Sequence, residues 1–143
     1  MDTINSFSGH NRFLSSFYPA IVIVDSISYC TVEHGYQASK NLSVEYRKTI
    51  RDATTPGEAK RLGQKVSLRA DWDDIKIDRM YTLVKQKFSL PGLKESLIAT
   101  GDAELIEGNW WGDTFWGICK GVGRNELGKI LMKVRWELNH GIV

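Results

Sequence analysis

Ile21-Val22-Ile23-Val24-Asp25-Ser26-Ile27-Ser28-Tyr29-Cys30-Thr31-Val32-Glu33-His34-Gly35-Tyr36-Gln37 is the stretch that decides the fold class. Its first ten residues are two β-rich runs on either side of Asp25-Ser26, which reads as a two-residue hairpin turn. Thr31 then reads as the N-cap of a helix over residues 31–42. The residues before the hairpin read as β as well.

Working outward, a second helix is expected over residues 43–53. Thr55-Pro56-Gly57-Glu58 carries the marks of a third helix start: Thr as N-cap, Pro at the first helical position and Glu placed to close a capping box. That helix is expected to reach residue 67. Ile77, Met80, Tyr81, Val84 and Phe88 recur with a 3.6-residue period, which predicts an amphipathic helix over residues 74–88. A short helix over residues 91–99 ends at Gly101. Residues 103–107 read as a short strand. Residues 108–123 hold five glycines and three tryptophans and read as a structured loop. Asn125 reads as the cap of a last helix, with Leu127, Ile130, Leu131, Val134 and Leu138 on one face. Strands come first and helices dominate the middle, with no βαβ alternation. The expectation is therefore α+β, helix-dominant, one compact domain over residues 1–143 with a small N-terminal β-hairpin.

Composition agrees with a globular chain. Of 143 residues, 42% are hydrophobic and 25% charged, which argues against disorder, collagen and coiled coil. A chain of this length buries roughly 70% of its unfolded surface, so it needs no disulfide or metal to fold. The longest apolar run, Ile21 to Val24, is far short of a membrane span. Residues 1–5 lack the basic start and apolar core of a secretory signal, so a cytoplasmic protein is expected. The net charge of +2 neither demands nor excludes a nucleic-acid partner. Cys30 and Cys119 form no CxxC pair, and His10, His34 and His140 are scattered. No metal site is expected, and two reduced thiols are.

Glu33, Gln37 and Lys40 fall at i, i+4 and i+7, so a carboxylate, an amide and an ammonium share one helix face. Such a stripe can bind a polar ligand, with Glu33 as general base or cation stabiliser. The same pattern also fits a solvated helix face. Asn109-Trp110-Trp111-Gly112-Asp113-Thr114-Phe115-Trp116-Gly117 sets flat aromatic walls beside one carboxylate. That suits a heteroaromatic base, since stacking is worth ~1–3 kcal/mol per base. It equally suits a Trp-rich core corner in which Asp113 caps a turn. Gly121-Val122-Gly123-Arg124-Asn125 precedes a helix without being a Walker A loop, and reads as a loop and cap. Arg61, Lys65 and Arg69 recur along the third helix, a pattern that fits a solvated face and, otherwise, a basic face able to hold phosphate. Neither cysteine has a base partner in sequence.

The chain resembles a known family. Phe13-Leu14-Ser15-Ser16-Phe17-Tyr18-Pro19, Val32-Glu33-His34-Gly35-Tyr36-Gln37-Ala38-Ser39-Lys40, Trp72, the Asn109 to Gly117 block, and Gly123-Arg124-Asn125-Glu126-Leu127-Gly128-Lys129-Ile130-Leu131-Met132 are similar, in order, to the motifs of the NADAR (NAD and ADP-ribose) superfamily of YbiA-like proteins. The resemblance implies a YbiA-like fold and an N-glycosidase that cleaves a ribose C1′–nitrogen bond. One branch of the family acts on riboflavin-pathway intermediates carrying ribosylamino phosphate, and another removes ADP-ribose from guanine in DNA. It places the family's functional Glu on Glu33, its tryptophans on Trp72 and on Trp110 or Trp111, and its acidic residue on Asp113. Glu33 and Asp113 are thus the expected catalytic pair, with Glu33 stabilising an oxocarbenium-like ribose and activating water. Phe13, Gln37, Trp116 and Asn125 are expected at the substrate, and Asn109 or Asp113 at the base edge. Arg12, Lys40, Lys65 and Arg124 are the candidates for phosphate. No cofactor and no metal are implied. The partner is a small molecule or an ADP-ribosylated nucleic acid. Two departures from the family stand at Ser16, where Asn is common, and at Gly35, where a bulkier residue is usual; both bear on the shape of the ligand pocket. A non-catalytic ADP-ribose or nucleotide binder using the same pocket is the alternative, and a plain nucleic-acid-binding module is a third reading.

Overall fold

The computed structural model describes residues 2–142. In chain order its elements are β1 (Thr3–Ile4), a 3-10 turn at Gly9–Leu14, β2 (Pro19–Val24), β3 (Ile27–Thr31), α1 (Val32–Ala38), α2 (Val44–Asp52), α3 (Pro56–Gly63), α4 (Trp72–Lys87), α5 (Leu93–Ala99), β4 (Glu104–Leu105), β5 (Gly108–Asn109), β6 (Ile118–Cys119) and α6 (Glu126–Asn139). The described strands pair only two by two, and helices carry most of the regular structure, so the class is helix-dominant α+β as expected. The chain divides into two compact units, Ser16–Lys87 and the pair of segments that flank it. No described helix is long and apolar enough to cross a membrane.

In the unit Ser16–Lys87, β2 and β3 form the expected antiparallel hairpin, with Val22 opposite Tyr29 and Val24 opposite Ile27. Asp25 (φ 48°) and Ser26 (φ 69°) both take left-handed backbone, the geometry that matches strand twist in a two-residue turn. Ala20, Val22 and Val24 are buried while Ile21 and Ile23 are exposed, the period-2 signature of a hairpin with one covered face. Thr31 caps α1 as expected, its hydroxyl accepting the His34 N–H at 3.0 Å. The helix stops at Ala38 instead of residue 42, because the chain turns there. Asn41 Oδ1 takes the Ser43 N–H at 2.8 Å, and Arg47 Nε donates to the carbonyls of Ala38 and Asn41.

The Thr55 cap holds, but Glu58 Oε2 takes the N–H and hydroxyl of Thr54, one residue before the expected capping-box partner. The third helix ends at Gly63 and not at residue 67, so Lys65 and Arg69 lie beyond it and the expected basic helix face is cut short. Arg69 Nε instead pairs with Asp71 Oδ1 at 2.7 Å. The fourth helix starts earlier than expected, at Trp72, and buries Met80, Leu83, Val84 and Lys87 more deeply than Ile77 or Tyr81. Gly35 faces this core. A Cβ there would sit 3.0 Å from Leu83 Cδ2 and 3.2 Å from Val22 Cγ2, so its departure from the family bears on packing.

In the other unit, β1 pairs with β4 in parallel, Ile4 beside Leu105. Residues 9–14, read from sequence as part of a β region, form the 3-10 turn. The fifth helix begins at Leu93, after Gly92 turns the chain at φ 87° and Glu95 Oε1 takes the Gly92 N–H. The glycine- and tryptophan-rich loop holds one short parallel pair, β5 with β6. Leu97, Leu105, Leu127, Ile130, Leu131 and Val134 are the buried apolar side chains that this unit's helices and β4 supply. Asn125 does not cap α6 with its side chain. Its backbone is left-handed (φ 53°), and its amide is used elsewhere. Oδ1 accepts from the Glu107 N–H and Nδ2 donates to the Leu105 carbonyl, each at 3.0 Å.

Candidate active site

The hairpin delivers the chain into α1 at a fixed point. The Glu33 N–H donates to the Ser16 carbonyl at 3.1 Å, so the motif around Ser16 anchors the first turn of α1 through its backbone. Glu33 is 8% exposed and Gln37 3%. Gln37 Nε2 donates to Glu33 Oε2 at 2.5 Å. The stripe read from sequence is therefore a buried face and not a solvated one. Lys40, just past the helix, places Nζ 3.5 Å from the Gly63 carbonyl and 5.7 Å from the Tyr36 ring centre. Burial pushes the Lys40 ammonium below its usual pKa; the charge of Glu33 opposes that shift, and Lys60 and Lys76 add to it. Tyr36, one turn after Glu33, packs against Trp72 with ring centres 5.2 Å apart. Trp72 is 4% exposed, so this indole is a wall of the unit's interior. Glu33, Gln37, Lys40 and Trp72 are thus brought into one neighbourhood within Ser16–Lys87. A buried carboxylate with one oxygen hydrogen-bonded can hold or release a proton and can face a cationic centre.

Two polar side chains, Asn109 and Asp113, organise the aromatic loop. Asn109 Oδ1 takes the Asp113 N–H at 3.0 Å, and Asn109 Nδ2 donates to the Asp113 carbonyl at 2.8 Å. Asp113 Oδ1 accepts the N–H groups of Phe115 (3.1 Å) and Trp116 (2.9 Å). The turn-capping alternative weighed from sequence is therefore present at Asp113. Trp110 and Trp111 meet edge to face at 5.6 Å, and Trp110 stands 84% exposed. Phe115 packs edge-on to Trp116, and the Arg124 guanidinium lies 4.7 Å above Phe115. Glu107 is the residue that sequence reasoning passed over. Its Oε2 accepts from Asn109 Nδ2 at 3.2 Å, and it packs so closely on Gly117 that any Cβ there would overlap it. The signal was its position two residues before Asn109, on the same side of an extended backbone.

Arg12 and Phe13 lie on the 3-10 turn, Arg12 exposed and Phe13 edge-on to Phe88 at 6.5 Å. Lys65 is exposed beyond α3. Cys30 gains a partner that the sequence had hidden: its Sγ lies 3.5 Å from His34 Nδ1. That imidazole is fully buried between the Thr31 hydroxyl and the Ala53 carbonyl, and the carbonyl requires the proton on Nε2. Among the described residues, no group of three or more His, Cys, Asp or Glu is gathered to hold a metal ion.

Comparison with known proteins decides the family. The NADAR domain family matches residues 5–139. The chain belongs to the NADAR family. This NADAR chain is 35% identical to N-glycosidase YbiA of Escherichia coli strain K12 over 141 residues, covering 94% of this chain and 88% of that one. It is 38% identical to an N-glycosidase of Nostoc punctiforme over 133 residues, with 88% and 85% coverage. A riboflavin biosynthesis protein of Vibrio vulnificus is 41% identical over 134 residues, but the NADAR chain spans only 36% of that protein's length. The solved NMR structure of Escherichia coli YbiA superposes with a TM-score of 0.86 at 34% identity, covering 98% of this chain and 86% of that one. The NADAR fold expected from the motifs is therefore the fold observed.

Proposed function

We propose that this chain hydrolyses the ribose C1′–nitrogen bond of a phosphorylated N-ribosyl substrate, with Glu33 as the reacting carboxylate. Membership of the NADAR family makes it a hydrolase acting on N-glycosyl bonds. The observation that carries the finer reading is the burial of the Glu33 carboxylate beside Gln37, one helical turn from the Tyr36–Trp72 stack.

The chemistry follows from that placement. Breaking the C1′–N bond sends the electron pair to the base nitrogen and leaves positive charge on the sugar ring. An anionic oxygen near C1′ stabilises that charge. It also takes a proton from water as the water oxygen bonds to C1′, and the proton then passes to the departing base. Lys40, held near Glu33, supplies a cation for a substrate phosphate. In the other unit the exposed Trp110 is an indole able to stack on a base, and Asn109 and Asp113 hold its loop. The riboflavin biosynthesis name of the Vibrio relative favours a ribosylamino-pyrimidine phosphate over ADP-ribosyl guanine as the substrate. The same reading takes the enzyme to work in the cytoplasm.

The test is a side-by-side assay of base release from both substrate classes with wild type and Glu33→Gln. Glu33→Gln is expected to bind substrate while kcat falls by roughly 10²–10⁴-fold, the usual contribution of a positioned acid–base group. Wild-type turnover by Glu33→Gln would refute the assignment of Glu33, and binding without base release by wild type would leave a binding module.

A further inference from the structure

We infer that Gln37 is a positioning residue for Glu33, and that Gly63 is glycine because it makes room for the Gln37 amide. This rests on the reading of Glu33 as the reacting carboxylate.

The orientation of the amide is fixed by chemistry. A carboxylate only accepts, so the Gln37 NH2 must face Glu33 Oε2 and the carbonyl oxygen must turn away. That oxygen is buried with no hydrogen-bond partner. A leucine or methionine would fill the space without leaving an unpaired acceptor, which folded proteins avoid. The residue that does stand there accepts that penalty and gains one bond, the bond to Glu33. The Gln37 main chain is pinned independently, its carbonyl accepting from Tyr46 Oη at 2.7 Å. The side chain therefore reaches Glu33 from a fixed base.

Gly63 completes the arrangement. It is the last residue of α3 and sits in ordinary helical backbone, where alanine is the better helix former. Nothing about its backbone requires glycine. A Cβ at this position, however, would overlap Gln37 Oε1 and come within 2.7 Å of Gln37 Cδ. The amide would have to swing away, and its donor would leave Glu33. Gly63 thus acts on the carboxylate through Gln37, without touching substrate.

The experiment uses the full chain as wild type, Gly63→Ala, Gln37→Leu, Gln37→Ala and the Gly63→Ala, Gln37→Ala double variant. Side-chain amide 1H–15N spectra report the Gln37–Glu33 bond without substrate, and base release gives kcat and KM. In wild type one Gln37 amide proton is expected downfield and slow to exchange, and Gly63→Ala returns it to the ordinary range. Gly63→Ala and Gln37→Leu are each expected to lower kcat roughly ten- to hundred-fold, the worth of a hydrogen bond to a charged group. KM is expected to move by less than about threefold, because the loss is in the reacting state. In the Gln37→Ala background, adding Gly63→Ala changes kcat by no more than about twofold, since the two sites then no longer couple. Wild-type kcat in Gln37→Leu, or the same loss from Gly63→Ala in both backgrounds, overturns the inference. So does an ordinary Gln37 amide signal in wild type. Failure of wild type to release base from either substrate class would refute the proposed function instead, and the amide spectrum would still decide the contact.

Discussion

Arg47 Nη1 meets Asp25 Oδ2 at 2.7 Å, joining the hairpin turn to α2. The Arg47 side chain is 7% exposed, and its Nε also closes the carbonyls of Ala38 and Asn41 where α1 ends. One guanidinium therefore fixes both ends of the route through Glu33: the turn before it and the helix terminus after it. The Arg47 guanidinium holds the Asp25 carboxyl below its usual range.

The first prediction follows from that pair. A carboxyl whose folded pKa is depressed adds stability above its unfolded value and loses it as pH falls through the folded one. Asp25→Asn keeps the left-handed turn, which Asn tolerates, and removes only the charge. Because Asp25 is half exposed, the loss at pH 7 is expected to be about 1 kcal/mol. Urea unfolding is expected to show that gap at pH 7 and to show it closing once the pH is well below 4. A gap that persists unchanged in acid would mean the charge is not the cause.

Lys87 gives a prediction of the same pH sense in a higher range. Its side chain is 1% exposed, its Nζ lies 5.6 Å from the Tyr18 ring centre, and burial pushes its pKa from 10.5 down to about 7. Between those values the unfolded chain holds the proton and the folded chain does not. Stability should therefore climb as pH rises from 7 towards 10. Lys87→Met is expected to flatten that rise in chemical denaturation at pH 7, 8.5 and 10. An equal rise in the variant would place its cause in another group.

Local chemistry made much of the fold legible. The Asp25-Ser26 turn, the Thr31 and Thr55 caps and the long apolar period of α4 each depend on neighbours in sequence, and each formed. What failed depended on distant partners. Asn125 looked like a helix cap, but the Leu105 carbonyl and Glu107 N–H compete for its amide and win. The β1–β4 pairing joins residues about a hundred positions apart, and two-residue strands carry no period to read. At the candidate site, helical spacing put Glu33 and Gln37 on one face, and the motif resemblance singled out Glu33. Only the packing of α1 showed that this face is buried, that Gln37 leans on Gly63, and that Trp72 belongs to the interior.

The two tryptophans most open to a ligand role from sequence make the last prediction. Trp72 is 4% exposed against Tyr36, whereas Trp110 is 84% exposed at the tip of its loop. Truncating a buried indole removes a large packed surface, so Trp72→Ala should cost ~3–5 kcal/mol of stability. Trp110→Ala removes almost no burial, and its stability should stay within about 0.5 kcal/mol of wild type. If Trp110 stacks on the base, its loss should instead raise KM by roughly five- to hundredfold, the equivalent of one stacked ring. Thermal unfolding and base-release kinetics on the same preparations separate the two effects. A Trp110→Ala chain with unchanged Tm and unchanged KM would strip the exposed indole of a recognition role, because no packing loss would be present to mask one.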